Sequence, residues 1–176
     1  VEDWIMAEQL FMKNHASEYK SNFNKIKLFL SDVDGVLTDA GMYYTENGDE
    51  FKKFCTYDGM GFQLLQKTGI KVGILTTEDR EINRRRAKKL GLDFDFHGAK
   101  DKLQIVKDLC IKENITLDEV AYIGDDVNCF SLLSHVGIAA CPNNAVDKIK
   151  AIPNIIQLNK NGGDGVVREF VELILK

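Results

Sequence analysis

The feature that most constrains the fold lies in residues 26–39, IKLFLSDVDGVLTD, where an apolar run ends in two acidic residues. Residues 26–30 predict a short buried strand, and Asp32 and Asp34 follow it two positions apart. Carboxylates at the end of a buried strand are costly unless they bind a metal ion or take part in chemistry. A turn with solvated aspartates is the alternative. An EF-hand calcium loop is excluded, because the segment that starts at Asp32 lacks the required oxygen ligand, glycine and glutamate.

The chemistry that suits an Asp-x-Asp pair is phosphoryl transfer through an aspartyl-phosphate. One carboxylate attacks phosphorus, while the other protonates the leaving oxygen and later activates water. Two acids repel a phosphate dianion, so a hard cation with oxygen ligands, most simply Mg²⁺, is required. The pair therefore predicts Mg²⁺-dependent phosphoryl transfer.

Composition limits the other classes of function. The 176 residues suffice for one domain of ordinary size. A hydrophobic content of 44% and a net charge of −4 indicate a soluble globular protein that does not bind nucleic acid. No apolar run reaches the roughly 20 residues that span a membrane, and the first residues do not predict a signal peptide. The scattered cysteines, without CxxC spacing, favour reduced thiols in a cytoplasmic protein.

Short strands and helices alternate after the first strand, which predicts an α/β, Rossmann-like, doubly wound parallel sheet with helices on both faces. The predicted strands are residues 26–30, 71–75, 94–96, 120–123, 137–140 and 155–158. The predicted helices are residues 57–68, 79–90, 101–113, 128–135 and 166–175, with Asp58 as the N-cap of the first. An Asn47-Gly48 pair predicts a β-hairpin flap over residues 42–54. Ligands of such sheets bind at the carboxyl ends of the strands.

The segment from Asp32 to Thr38 resembles the first motif, DxDG(V/T)(L/I)T, of the haloacid dehalogenase superfamily of phosphohydrolases. This resemblance implies that Asp32 is the nucleophile and Asp34 the acid/base. Three later segments follow the superfamily's order and imply phosphate binding by Thr76, Thr77 and Lys102 and Mg²⁺ binding by Asp32, Asp34 and Asp125. Asp126 is expected to contact the metal ligands and not the metal ion itself.

The fourth motif, GDDxxD, is incomplete in this chain. After Gly124, Asp125 and Asp126, the sixth position holds Cys129 where an aspartate often stands. The loss is expected to leave the metal ligands intact.

The spacing of the motifs leaves no room for a long insertion, so no cap domain is expected. With the flap and a glycine-rich tail at residues 162–169, the chain resembles the capless branch of the superfamily. That branch contains phosphatases of 3-deoxy-manno-octulosonate 8-phosphate and of nonulosonate 9-phosphates. The resemblance implies a homotetramer in which a neighbour's hairpin or tail helps to close each site.

Glu78 guides the prediction of the sugar. The octulosonate enzymes usually read TGR where this chain reads Thr76-Thr77-Glu78, and nonulosonate phosphatases resemble it better through this glutamate and an RRRAxK helix. We therefore predict a nine-carbon, sialic-type sugar acid 9-phosphate as the substrate, with 3-deoxy-D-manno-octulosonate 8-phosphate as the alternative. The predicted substrate-binding residues are Thr56, Tyr57, Asp58, Gly59, Glu78, Arg86 and Lys89.

The first residues suggest a possible partner. EDWIMAEQL resembles the closing helix of CMP-sialic acid synthetases, so residues 1–22 are read as an N-terminal helix that is the tail of a preceding synthetase domain or simply an ordinary helix. Residues 23–176 are the predicted phosphatase domain. A catalytically silent tetramerisation domain of such a synthetase is a further alternative. Those domains have replaced a catalytic aspartate, whereas this chain keeps Asp32, Asp34, Lys102 and Asp125.

Overall fold

A computed structural model describes residues 22–176 of the protein. The synthetase-like segment and nearly all of the predicted N-terminal helix lie outside these residues. Six strands form one parallel sheet in the order β5-β4-β1-β6-β7-β8. Their bounds are β1 Leu28–Ser31, β4 Lys71–Leu75, β5 Phe94–Phe96, β6 Val120–Ile123, β7 Ile138–Cys141 and β8 Ile156–Gln157. The predicted parallel α/β architecture is confirmed.

In the part of the chain after β1, six helices cover the sheet, and they divide the core into two layers. Their bounds are α1 Thr56–Lys67, α2 Glu81–Leu90, α3 Lys102–Glu113, α4 Phe130–Leu133, α5 Asp147–Lys150 and α6 Val166–Ile174. Side chains of α1, α2 and α6 share one hydrophobic cluster, and side chains of α3, α4 and α5 share the other. The protein is therefore doubly wound, with no cap domain inserted between these elements.

Strand β1 lies at the centre of the sheet, and every one of its residues is therefore buried. Successive side chains of a strand point to opposite faces. Phe29 accordingly packs on one face with its ring centroid 5.7 Å from Phe62 and 5.6 Å from Phe170. Leu28 and Leu30 belong to the cluster on the other face. A strand that is buried on both faces reads as a continuous apolar run, which is why the sequence revealed it so clearly.

The flap is a two-stranded antiparallel hairpin that stands apart from the main sheet. Strands β2 (Tyr43–Tyr44) and β3 (Glu50–Phe51) pair Tyr43 with Phe51. The turn is closed by a bond from the Thr45 amide to the Asp49 carbonyl at 3.0 Å. The hairpin is confirmed, although its paired strands are shorter than the predicted 42–54.

Three local predictions differ from the structure. The helix predicted over residues 128–135 is a 3₁₀ turn at Val127–Cys129 followed by the single turn of α4, and α5 was not predicted. Asp58 is not the N-cap of α1, because Cys55 holds that position. Asp58 instead accepts a hydrogen bond from the Arg168 amide at 3.0 Å, in the first turn of α6. The sequence therefore identified Asp58 as a residue that accepts an amide at the start of a helix, but assigned it to α1 instead of α6.

Within residues 22–176 there is no helix that combines the length and the apolar character needed to cross a bilayer.

Candidate active site

The carboxyl ends of β1, β4 and β6 are neighbours in the sheet, and a cavity of about 260 Å³ opens beside them. Starting from β1, the strands β4 and β5 are added on one side of the sheet and β6, β7 and β8 on the other. Doubly wound folds bind their ligands at this change of direction. Residues that line the cavity include Asp32, Asp34, Thr76, Thr77, Glu78 and Asp125. The structure therefore brings together residues that the sequence predicted from three separate strand ends.

Asp32 is fixed at the end of β1 by both its backbone and its side chain. Its amide donates to the Ile123 carbonyl at 3.0 Å, which ties the turn to β6. Its Oδ1 accepts the Val33 amide at 2.8 Å, and its Oδ2 lies 2.8 Å from Lys102 Nζ. The residue is only 3% exposed. A buried carboxylate of this kind needs its cation, because an unpaired charge is strongly disfavoured there.

Lys102 provides that cation from the first residue of α3, where the Asp101 side chain caps the helix. Its ammonium also donates to the Tyr122 hydroxyl at 3.2 Å. Burial acts to lower the pKa of Lys102, but the charge of Asp32 and the contacts with Asp32 and Cys129 together outweigh it, so the pKa is raised. The lysine therefore stays charged and neutralises Asp32 beside the cavity.

Cys129 occupies the position at which the superfamily often has an acid. Its thiol donates to Asp32 Oδ2 at 2.9 Å and lies 3.1 Å from the Tyr122 hydroxyl. Burial, followed by the charge of Asp32, raises the pKa of Cys129 to about 12. The thiol is thus a neutral hydrogen-bond donor, and it adds no negative charge to the cluster. It leaves the pairing of Asp32 with Lys102 undisturbed.

Lys52 was not predicted, yet it makes two of the shortest contacts at the site. It follows β3 directly, and its Nζ lies 2.6 Å from Asp34 Oδ1 and 2.7 Å from Glu78 Oε2. Its side chain is 1% exposed. Burial raises the pKa of Asp34, and the hydrogen bond from Lys52 opposes that shift without cancelling it. The flap thus contributes a buried cation between two acids of the cavity.

Asp125 approaches the turn after β1 more closely than most residues would permit. A Cβ on Gly35, whose φ is +80°, would lie 1.8 Å from Asp125 Oδ2, so only glycine fits there. Burial and the charges of Asp32 and Asp126 together raise the pKa of Asp125 to about 7. Ligand atoms of Asp32, Asp125 and Cys129 all lie within 4.8 Å of one another. Crowded carboxylate oxygens of this kind suit a divalent hard cation.

Thr76 and Thr77 follow β4 and face the same cavity. Thr76 is buried, and its Oγ1 accepts the Glu78 amide at 3.2 Å, which leaves its hydroxyl hydrogen available for a ligand. Asn128 donates to Thr77 Oγ1 at 3.0 Å from the turn after β6. The two loops are thereby joined across the cavity.

Six of the predicted substrate-binding residues lie outside the lining of this cavity. Arg86 donates from Nη2 to the Cys55 carbonyl at 3.1 Å and stacks over Phe54, while Lys89 is exposed on α2. Thr56, Tyr57, Asp58 and Gly59 form the first turn of α1. None of these six lines the cavity of its own chain, whereas Glu78 does. Their contact with substrate stays a prediction.

Comparisons with known proteins agree with this geometry. Two models described as haloacid dehalogenase-like hydrolase match residues 56–130 and 96–170. The 3-deoxy-D-manno-octulosonate 8-phosphate phosphatase of Haemophilus influenzae is 34% identical over 164 residues, which cover 89% of this chain and 87% of that protein.

Solved structures are similar over most of the chain. A 3-deoxy-D-manno-octulosonate 8-phosphate phosphatase from Moraxella catarrhalis, in complex with a magnesium ion, a phosphate ion and the octulosonate, superposes with a TM-score of 0.86 at 37% identity, over 90% of each chain. A Legionella pneumophila protein assigned to haloacid dehalogenase subfamily III A gives a TM-score of 0.90 at 35% identity, over 94% of this chain and 91% of that one. The Haemophilus and Moraxella proteins are both named as phosphatases of the eight-carbon sugar acid, which is the alternative substrate predicted from the sequence.

Proposed function

Because the chain belongs to the haloacid dehalogenase-like hydrolases, and is a phosphoric monoester hydrolase as its relatives are, we propose that it is a Mg²⁺-dependent sugar-acid phosphatase with 3-deoxy-D-manno-octulosonate 8-phosphate as its preferred substrate. The observation that carries the proposal is the buried pair of Asp32 and Lys102 at the end of β1, 2.8 Å apart and next to Asp125. The silent tetramerisation domain loses support, because this pair is intact and the relatives are phosphatases.

In the proposed mechanism, an Asp32 carboxylate oxygen attacks phosphorus and the bond from phosphorus to the sugar oxygen breaks. Asp34 donates its proton to that leaving oxygen, which departs as the sugar hydroxyl. A water molecule then attacks the aspartyl-phosphate, and Asp34 takes a proton from it as inorganic phosphate is released and Asp32 is regenerated. The raised pKa of Asp34 favours the protonated form that the first step requires.

In this mechanism Mg²⁺ and Lys102 both neutralise negative charge at the site. The acids fit Mg²⁺, since Asp32 and Asp125 offer carboxylate oxygens close together at one cavity, while the Asp34 side chain is left for proton transfer. When bound, Mg²⁺ supplies positive charge for the phosphoryl oxygens and the developing transition state. Lys102 holds Asp32 from the side of α3, and Thr76 offers its hydroxyl to a phosphate oxygen.

The nine-carbon prediction is kept as a second candidate for one reason. Glu78 lines the cavity, and its carboxylate would accept hydrogen bonds from hydroxyl or amide groups of a larger sugar. The relatives named above support the eight-carbon sugar instead.

Phosphate release from a panel of sugar-acid phosphates, with and without Mg²⁺, tests the proposal. We expect the highest kcat/KM for 3-deoxy-D-manno-octulosonate 8-phosphate, and a higher value for a nine-carbon 9-phosphate would favour the second candidate. Glu78→Arg restores the cation usual in the octulosonate enzymes, and it should shift the preference further toward the eight-carbon substrate by about tenfold to a hundredfold. Hydrolysis of an aryl phosphate is the control, because it does not depend on the sugar.

A further inference from the structure

We propose that Lys52 is a positioning residue that holds the general acid Asp34 toward the leaving oxygen, and does so only while the flap lies over the site. The inference rests on the proposed role of Asp34 as acid/base. It assigns a function to a side chain that neither the Asp-x-Asp motif nor the later strand ends include.

The first support is the surroundings of Asp34. Its carboxylate is about one-third exposed, and among the described contacts Lys52 is its only side-chain hydrogen-bond partner, at 2.6 Å. Asp32, by contrast, is held by a backbone amide, a thiol and an ammonium. The nucleophile is thus fixed by the sheet and α3, whereas the acid is fixed by one lysine on the flap.

The second support is the balance of charge. Asp32, Asp34, Glu78 and Asp125 all line the cavity, and like charges this close repel one another. Lys102 is committed to Asp32. Lys52 is almost fully buried between Asp34 and Glu78, so removal of its charge would leave these two acids to separate. Two of its three N–H donors are used by these carboxylates.

The third support is the location of Lys52 in the chain. It directly follows β3, so its ammonium reaches Asp34 only when the hairpin is in the position described here. Docking of the flap and placement of the acid are therefore one event. An open flap would leave the acid misplaced, so proton donation would wait until the substrate is covered.

The experiment measures kcat/KM for a series of phosphate esters whose leaving groups become steadily poorer, from 4-nitrophenyl through phenyl to an alkyl ester. This parameter reports the transfer of phosphate to the nucleophile, and only poor leaving groups need a proton in that step. We expect Lys52→Met to cost about a hundredfold with the alkyl ester, the size of effect seen when a catalytic group is displaced by about 1 Å. The loss with 4-nitrophenyl phosphate should be no more than about threefold.

The neighbouring lysine gives a matched control. Lys53 also lies on the flap, but its side chain is 62% exposed and 4.0 Å from Asp164, so Lys53→Met should leave the whole series unchanged within about twofold. Lys52→Arg keeps the charge and should recover part of the loss with the alkyl ester.

Several results would overturn the proposal. An equal loss across the series in Lys52→Met would mean that the lysine supports the fold or the nucleophile instead of the acid. Unchanged hydrolysis of the alkyl ester would exclude any part for Lys52. If Lys52→Met does not fold by circular dichroism, Lys52→Gln and Lys52→Arg give the same comparison. A wild-type enzyme that hydrolyses the aryl and alkyl esters but no sugar-acid phosphate would refute the substrate assignment, while the series would still test Lys52.

Discussion

At the scale of single residues, the site is organised around a nucleophile that is held more firmly than the acid beside it. Asp32 is buried and bonded through both carboxylate oxygens, and the neutral Cys129 thiol joins Lys102 on one of them. A rigid nucleophile lowers the entropy lost when the phosphorus is attacked. A thiol in this position satisfies the carboxylate without adding another negative charge to four nearby acids.

The nucleophile gives the first prediction. Asp32→Asn should lower kcat by at least about a thousandfold and leave the fold intact, because the amide keeps the shape of the side chain but cannot attack phosphorus. Rapid-quench trapping of the phosphoenzyme, followed by peptide mapping, checks the residue. A phosphoryl group on any other residue of the wild-type enzyme would contradict this role.

Asp125 gives the second prediction. Asp125→Ala removes one of few protein oxygens available to a small octahedral ion, so activity should either disappear or require far more Mg²⁺. A titration of activity and of calorimetric Mg²⁺ binding measures both effects. Asp126→Ala is the matched control, since Asp126 uses Oδ1 to cap the Val127 amide and should affect Mg²⁺ binding less. An unchanged Mg²⁺ requirement in Asp125→Ala would count against the assignment.

Single residues also show what the sequence could and could not reveal. Asp32, Asp34, Thr76 and Asp125 follow apolar runs, and Lys102 follows the order of the superfamily motifs, so each had a local signal. Lys52 had none, because a lysine on a polar hairpin reads as solvated surface. Its burial results from the packing of the flap against two distant strand ends, which no local pattern encodes.

At the scale of elements, Asp58 links α1 to α6. It is almost fully buried in the first turn of α1 and accepts the Arg168 amide at the start of α6. Burial raises its pKa to about 6, and backbone hydrogen bonds from α6 only partly oppose that shift. The two helices therefore pack around a carboxyl group that keeps its proton up to about pH 6.

This link gives the third prediction, which concerns stability and pH. A folded-state pKa raised from an ordinary 3.8 to about 6 means that the folded protein holds the proton more tightly than the unfolded chain. The contribution of Asp58 is fully present below about pH 4 and is lost as the pH rises through 6. The free energy of unfolding should thus fall by up to about 3 kcal/mol relative to Asp58→Asn between pH 4 and pH 7.

Urea unfolding at a series of pH values measures this difference. The exposed Asp164→Asn should follow the wild type, since its side chain is 56% exposed. Parallel curves for wild type and Asp58→Asn would show that Asp58 does not titrate in this range.

The elements also differ in how well the sequence revealed them. β4, β5 and β6 were predicted to the residue, because each is an apolar strand bounded by polar segments. The single turns α4 and α5 were misjudged or missed. A helix of one turn has too few residues to display a hydrophobic period, and its stability comes from the contacts of Leu132 and Ile149 with the core.

At the scale of the whole molecule, the flap presents a large exposed apolar surface within the described residues 22–176. Tyr44 is 60% exposed and Phe51 is 55% exposed, on a hairpin too small to be stable alone. Exposed aromatic groups of this density are typical of contact surfaces. Such a surface supports the predicted tetramer, in which the flap would lie between subunits.

The fourth prediction is therefore that the protein is a homotetramer whose assembly depends on the flap. Light scattering should give a mass close to that of four chains, and a double variant, Tyr44→Ser with Phe51→Ser, should dissociate and lose most of its activity. Ile111→Ser is the control, because Ile111 is an apolar residue on α3 that is even more exposed, at 80%. A wild-type monomer with full activity would refute the prediction.

The contact between Gly35 and Asp125 has a consequence for how genomes are interpreted. The volume that a side chain would fill at position 35 is taken up by the carboxylate of Asp125, so any side chain at position 35 would displace that carboxylate. A substitution of Gly35 would keep every acidic residue and every lysine of the site in the sequence, but it would displace the carboxylate of Asp125. A related gene could thus retain all the residues that define a phosphatase and still encode an inactive protein. A count of catalytic residues alone therefore overstates the number of active enzymes among such genes.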